Sequence, residues 1–142
     1  MRDLASNLAV DVLLPSASIS ADNTPTAVDL RGFDAALLLI EVGVGGITFT
    51  DSNKVEFKLT HSDDNSTYAA VEQADVQGVT VSAGGIVYAL TAAHAAATVT
   101  KVGYVGNKRY IKLLADFSGT HGTATPMSAI VVKGHSTQLP VA

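Results

Sequence analysis

The chain has 142 residues, which is enough for a single domain with a two-layer core. Charged residues make up only 15% of it, well below the roughly 25% of a typical soluble domain. The net charge of −4 provides no basic surface for nucleic acid, and the lack of cysteine excludes disulfides and thiolate metal sites. So few charges indicate either a surface that meets other protein or a wet surface of small uncharged residues.

Residues 1–15 are predicted to form an N-terminal arm that is ordered by packing on another surface. Leu4, Leu8 and Val12 are spaced like one face of a helix, but the segment around Val12 is equally typical of a strand. Pro15 is expected to end any regular element. No apolar run approaches the ~18 residues of a membrane span, so no membrane partner is expected.

Residues 16–134 carry several strand patterns. Residues 35–42 are apolar on both faces, which predicts a strand that is covered on both sides; a buried helix is the alternative. Residues 54–61 alternate strictly between apolar and polar, as a half-exposed strand does. Residues 68–71 are expected to return as the partner of that strand.

The clearest turn signal lies in residues 98–117, where two β-type runs flank Gly106-Asn107-Lys108 and predict a hairpin. A second hairpin is predicted between residues 79–81 and 86–90. About eight short strands with glycine-rich turns predict an all-β, single-domain β-sandwich or jelly-roll-like barrel with extended arms. Residues 135–142 are predicted to form the C-terminal tail.

The sequence offers no grouping of residues that is typical of an active site. The four histidines lie in separate segments without metal-ligand spacing. Asp63, Asp64 and Asn65 crowd oxygen atoms into one turn, but the glycine and glutamate of a calcium loop are missing, so turn capping explains them better. There is no serine–histidine–acid grouping, no phosphate-binding glycine loop and no paired carboxylates. We therefore predict no enzyme activity, no metal and no cofactor.

Candidate contacts with a protein partner come from the apolar ends, the long apolar run and the cations of the predicted hairpin. They are Leu4, Leu8, Val10, Val12, Leu13, Leu37, Leu39, Lys108, Arg109 and Leu139. In an acidic chain, the two cations suit an acidic protein surface better than phosphate.

Several short phrases occur together in a distinctive order. They are MRDL at 1–4, AVDLRGFD at 27–34, SDDNSTY at 62–68, VGYVGNKRYI at 102–111 and VVKGH at 131–135. This order resembles that of small virion proteins of tailed bacteriophages, which are encoded among the head genes beside the major capsid protein. The similarity covers most of the chain.

The resemblance implies a capsid decoration, or cement, protein that binds the outer surface of the major capsid protein lattice and stabilises the head. Such a protein is assembled in the bacterial cytoplasm, resides in the virion and needs no cofactor, nucleic acid or membrane. Self-association is expected, with a trimer suiting the three-fold positions of a capsid and residues 37–42 or the last strand in the shared interface. The alternative is a protein that is monomeric in solution and contacts its copies only on the shell.

Two other functions stay open at this point. A head–tail connector or minor tail protein is the alternative within the virion. A carbohydrate-binding adhesion module is a further alternative, but such modules display aromatic side chains, and this chain has 6% aromatic residues and no tryptophan.

Overall fold

The computed structural model of the chain describes residues 3–138 and confirms an all-β fold. Its ten strands are β1 (Ala9–Ile19), β2 (Val28–Asp29), β3 (Phe33–Val42), β4 (Lys54–Ser62), β5 (Ala69–Ala70), β6 (Val76–Gln77), β7 (Ile86–Leu90), β8 (Thr98–Tyr104), β9 (Tyr110–Ser118) and β10 (Thr125–Ser136). Two short 3-10 turns, Ala5–Asn7 and Gln73–Asp75, are the helical elements of the described part.

The strands form two antiparallel sheets of five strands each. Sheet A has the order β1-β10-β3-β8-β6. Sheet B has the order β2-β9-β4-β5, and β7 pairs with β4 on the same side as β5. The structure has ten strands where about eight were predicted, and three of them, β2, β5 and β6, are only two residues long.

Each sheet turns one face towards a single hydrophobic core, which gives the chain a sandwich-like form. In β3 the buried residues alternate with less buried ones, and Leu38 and Ile40 are fully buried. In β4 the predicted inward residues, Val55, Phe57 and Leu59, are also fully buried. Because side chains of a strand alternate between two faces, each sheet also presents an outer face away from this core.

Strand β1 differs from the predicted N-terminal arm. It pairs with β10 over most of its length and runs through Pro15, so the prediction that Pro15 ends regular structure is wrong. An edge strand tolerates proline, because one of its two sides needs no hydrogen-bonding partner. The predicted boundary between residues 15 and 16 therefore falls inside a strand, and the predicted tail begins inside β10.

Two irregularities in β1 change which residues face the core. The pairing with β10 shifts between Val12 and Leu14, and again between Leu14 and Ala17. A shift of this kind breaks the simple alternation of side chains. As a result Leu13 and Leu14 are neighbours in sequence and are both buried in the core.

The predicted hairpin of residues 98–117 is wrong, although both of its strands exist. Strand β8 pairs with β3 and β6 in sheet A, whereas β9 pairs with β2 and β4 in sheet B. The connection is organised by Tyr104, whose hydroxyl lies 2.9 Å from Nδ1 of His61 and accepts a hydrogen bond from the Lys108 amide. Gly106 passes so close to this ring that an added Cβ would lie 2.6 Å from the Tyr104 hydroxyl. The chain thus turns over the tyrosine and enters the other sheet.

The second predicted hairpin is also not formed as a strand pair. Residues 79–81 lie outside the strands, and β7 pairs with β4 instead. A single bridge between Ser82 and Ile86 closes the turn. The predicted partner of residues 54–61 is confirmed, because β5 pairs with Thr60 and His61 at the end of β4.

Candidate protein interface on sheet A

The outer face of sheet A carries a continuous array of apolar side chains. In one row Val10, Val132 and Leu37 lie opposite each other on β1, β10 and β3. Residues that are directly opposite in an antiparallel pair point to the same face. The cross-strand rows of this face therefore place aliphatic side chains side by side over several strands.

The next row repeats the pattern with Val12, Ile130 and Leu39, and ends at Lys101 on β8. We call this array face A and define it by Val10, Val12, Leu37, Leu39, Val99, Ile130 and Val132. The residues at its edges are well exposed: Val10 and Val12 are each 57% exposed and Val99 is 61% exposed. The residues in its middle are half-buried by their neighbours. The prediction that β3 is covered on both sides therefore does not hold within this single chain.

Two charges interrupt face A at one corner. Glu41 lies opposite Val99, and Lys101 lies opposite Leu39, so the two charged residues are diagonal neighbours. Both are exposed. Among residues 3–138, neither side chain has a hydrogen bond or an ion pair. Each charge is therefore free to pair with a group on another molecule.

A depression of about 640 Å³ lies at the opposite corner of face A. Ala35 and Gly134 are opposite each other here and supply almost no side-chain volume. Leu8 lies against Gly134, where an added Cβ would be 3.2 Å from its Cδ2 atom. Leu37 and Val132 supply aliphatic walls, and Asn7, His135 and Ser136 form the polar part of the lining. The depression is thus a mainly apolar hollow that continues the apolar surface of face A.

The outer face of sheet B has the opposite character. Glu56 and Asp116 lie directly opposite each other, an arrangement that is unfavourable for two like charges. Each acid is neutralised by a lysine: Lys54 contacts Glu56 at 2.6 Å, and Lys58 pairs with Asp116. The hydrogen bond from Lys58 to Asp116 raises the pKa of the lysine. On this face both acids are thus paired with lysines of the same chain.

The two cations of the predicted hairpin are held by acids of the same chain. Arg109 donates two hydrogen bonds to the carboxylate of Asp29, at 2.9 and 2.7 Å, and these lower the pKa of Asp29 to about 2. Lys108 pairs with Asp63. Both cations line a second cavity, which shares Ala35 with the depression at the corner of face A, and each is paired with an acid of its own chain.

The acidic turn after β4 is a capped turn, as predicted. The Asp64 carboxylate accepts hydrogen bonds from the amides of Ser66 and Thr67, each at 2.9 Å, and from the Ser62 hydroxyl. These bonds lower the pKa of Asp64 to about 2. Its oxygen atoms are thus engaged within the turn. Over residues 3–138 there is no group of three or more histidine and acidic side chains that is placed to hold a metal ion.

The structure brings together four of the predicted partner-binding residues, namely Val10, Val12, Leu37 and Leu39. Leu8 borders the depression, and Leu4 is 68% exposed just before the first 3-10 turn.

The other candidates lie elsewhere. Leu13 is 0% exposed, so the structure moves it from the candidate surface to the core. Leu139 lies outside the described residues. Sequence reasoning missed Val99, Ile130 and Val132, which join face A only through the register of β8 and β10 with β3.

Comparisons of the chain with family models, with curated proteins and with solved structures found no match. In the part of the chain that the structure describes, no helix has the length and apolar character needed to cross a membrane.

Proposed function

We propose that the protein is a capsid decoration protein of a tailed bacteriophage, which binds the outer surface of the major capsid protein lattice. The observation that supports this most directly is face A, an apolar sheet surface that one copy of the chain leaves uncovered. Exposed apolar arrays of this kind mark surfaces that meet other proteins. A subunit that works in an assembly covers such a surface with its neighbours.

We also infer a jelly roll as the finer class of the fold. If β5 and β6, the short strands at the ends of the two strand orders, are set aside and β2 is kept, eight strands remain. Sheet A then joins the first, last, third and sixth of them, and sheet B joins the second, seventh, fourth and fifth. This is the strand order of a jelly roll, an architecture that also occurs in viral capsid proteins.

The contrast between the two outer faces supports an orientation in the particle. The ion-paired face of sheet B suits contact with water, because its charges already have partners. Face A and the exposed Leu4 at its N-terminal side suit contact with protein. We therefore place sheet B on the solvent side of the assembled shell.

A truncation that tests the N-terminal contribution to capsid binding is limited to the residues before β1. Removing residues 2–14 would delete half of β1 together with the buried Leu13 and Leu14, and would damage the core. Leu4 is a better target, because no buried contact depends on it. We expect Leu4→Asp to weaken binding to the shell and to leave the fold intact.

The experiment is a pull-down of the purified protein on undecorated capsids, with the bound protein measured against the major capsid band. Saturable binding in a fixed ratio to the capsid protein is the expected result. Binding at one vertex only would assign the protein to the head–tail connector, and no binding to shells would contradict decoration. Leu4→Asp is compared with Thr60→Asp, which places the same charge on the outer face of sheet B.

A further inference from the structure

We propose that face A binds face A of a second copy of this chain, about a two-fold axis that runs diagonally across sheet A. The proposal goes beyond shell binding, because it concerns the free protein in solution. It rests on how the side chains of face A are distributed over the strand register, and in particular on its two free charges.

The proposed axis follows a diagonal line of four apolar residues. Val99 on β8, Leu39 on β3 and Val132 on β10 are each displaced by one strand and two residues from the previous one. Leu8 continues the line, because it lies against Gly134 at the next step. In a two-fold interface, residues on the axis meet their own copies. The line therefore supplies the apolar centre of the interface.

The free charges are related by the same diagonal. Glu41 and Lys101 lie on opposite sides of the line and at equivalent places in the register. A two-fold axis along the line brings Glu41 of each copy opposite Lys101 of the other. Two reciprocal ion pairs result, and both charges that are unpaired within one chain acquire partners. Leu37 and Ile130 are related in the same way and supply apolar contacts beside the axis.

The projecting and recessed parts of face A are related to each other across the same line. Val10 and Val12 project at one side and are the most exposed residues of β1 in this face. The diagonal relates them to Gly134 and Ala35, which form the floor of the apolar depression. The projecting valines of each copy would thus enter the apolar depression of the other copy.

The geometry is compatible with known sheet packing. With strands ~4.8 Å apart and a two-residue repeat of ~6.8 Å, the diagonal lies about 35° from the strands, so the two sheets cross at about 70°. This is close to the orthogonal class of sheet packing. Four strands ~4.8 Å apart and four two-residue steps of ~6.8 Å make a contact of roughly 500 Å² in each copy. This is smaller than the ~800 Å² of a standard interface. We therefore expect a reversible dimer rather than an obligate one.

In the free protein, the pattern favours a second copy over a different protein as the occupant of face A. Because Glu41 and Lys101 are related by the proposed axis, the acid of one copy meets the base of the other. A surface that binds a different protein does not need its charges to be related by symmetry. The reversible dimer covers face A only in the free protein, so contact of face A with the shell requires the dimer to dissociate. Failure of shell binding would therefore not affect this inference, and failure of dimerisation would not exclude decoration.

The test is sedimentation of the purified full chain over a wide range of concentrations, with charge-reversal variants on face A. We expect a concentration-dependent monomer–dimer equilibrium for the natural sequence. Glu41→Lys and Lys101→Glu should each weaken the dimer by at least about tenfold, because each places like charges opposite one another. The two single variants should associate with each other when mixed, and the double variant should dimerise again. Lys112→Glu, on the outer face of sheet B, is the matched control and should have no effect.

Circular dichroism of each variant checks that the sheets are intact. A chain that stays monomeric at every concentration would overturn the proposal. A trimer would overturn the two-fold arrangement, as would single variants that weaken association without recovery in the mixture. If one charge variant fails to fold, sedimentation of the natural sequence and of Ala35→Trp tests the proposal instead. The tryptophan would fill the depression and should also weaken the dimer.

Discussion

The outer faces of sheets A and B belong to the same fold and obey the same alternation, yet they carry different chemistry. On sheet B, lysines and acids neutralise each other across neighbouring strands. On sheet A, aliphatic side chains fill the equivalent positions, and only Glu41 and Lys101 are charged. The outer face of sheet A therefore has few charges, and the outer face of sheet B has several that are paired. The low charge content of the sequence fits either a wet surface or a surface that contacts protein, and the structure has one outer face of each kind.

The largest expected effect on the free energy of unfolding distinguishes two neighbouring residues that point to opposite sides of sheet A. Leu38 is fully buried and Leu37 lies on face A. Leu38→Ala should lower the free energy of unfolding by about 2–5 kcal/mol, because it leaves a cavity in the core. Leu37→Ala should cost about 1 kcal/mol or less in the monomer. Urea unfolding at low protein concentration measures both, so that association does not contribute.

In sedimentation, which measures dimerisation, the variant with the larger effect should be Leu37→Ala. Leu37→Ala should weaken the dimer, and Leu38→Ala should leave the contact surface unchanged while the chain is folded. If both variants destabilised the monomer equally, face A would be covered within the chain.

An intermediate effect is expected at the edge of sheet B. The Asn23 side chain accepts a hydrogen bond from the Ala115 amide at 2.7 Å and donates one to the Leu113 carbonyl at 3.2 Å. It thus satisfies backbone groups of β9 beyond the short strand β2. Asn23→Ala should cost about 1–3 kcal/mol, because both groups lose their partner in a partly buried site. Amide exchange should accelerate at Ala115 and stay unchanged at Val131 in sheet A; equal acceleration at both would show a global effect instead.

A smaller effect is expected from acid titration of Asp29. Its pKa is lowered from 3.8 to about 2 by the hydrogen bond from Arg109, so its ionised form is stabilised in the folded chain. This contribution is fully present above the unfolded pKa of about 4 and is lost as the pH falls through about 2. Asp29→Asn removes it. The free energy of unfolding of the variant should therefore fall less steeply between about pH 4 and 2, and identical slopes would contradict the assignment.

The smallest effect should come from the ion pairs on the outer face of sheet B. Lys58→Met removes the partner of Asp116 in a partly exposed pair. The expected cost is at most about 1 kcal/mol, and it should shrink as salt is added. The pKa of Lys58 is raised, so the contribution of the pair should be lost only as the pH rises above about 10.5. A cost that does not depend on salt would point to lost packing instead of lost charge.

Local pattern was enough to predict most of the strands, but of the predicted strand pairs only that of residues 54–61 with residues 68–71 is formed. The alternation of β4 and β9 and the apolar run of β3 identify these strands correctly, because a period of two depends only on neighbouring residues. The turn at Gly106 shows that the chain reverses, but it does not show which sheet the chain enters next. That choice depends on Tyr104 and His61, which are far apart in sequence.

The candidate interface is likewise predictable only where it depends on local pattern and not on strand pairing. Val10, Val12, Leu37 and Leu39 were found as apolar residues in suitable segments, and the structure places them in one face. Leu13 was assigned to the same surface because the register shifts of β1 leave no mark in the sequence. Val99 could be recognised only after β8 had been aligned with β3.

The position of β10 has a consequence for biosynthesis. This strand lies between β1 and β3 in sheet A, although it spans Thr125–Ser136 and is made after all other strands. Strand β3 therefore has an open hydrogen-bonding edge until residues 125–136 have left the ribosome. Sheets that depend on such distant pairings fold slowly, and their unpaired edges expose the nascent chain to aggregation. A chain that is shortened before β10 should depend on chaperones, because neither β1 nor β3 has a partner between them.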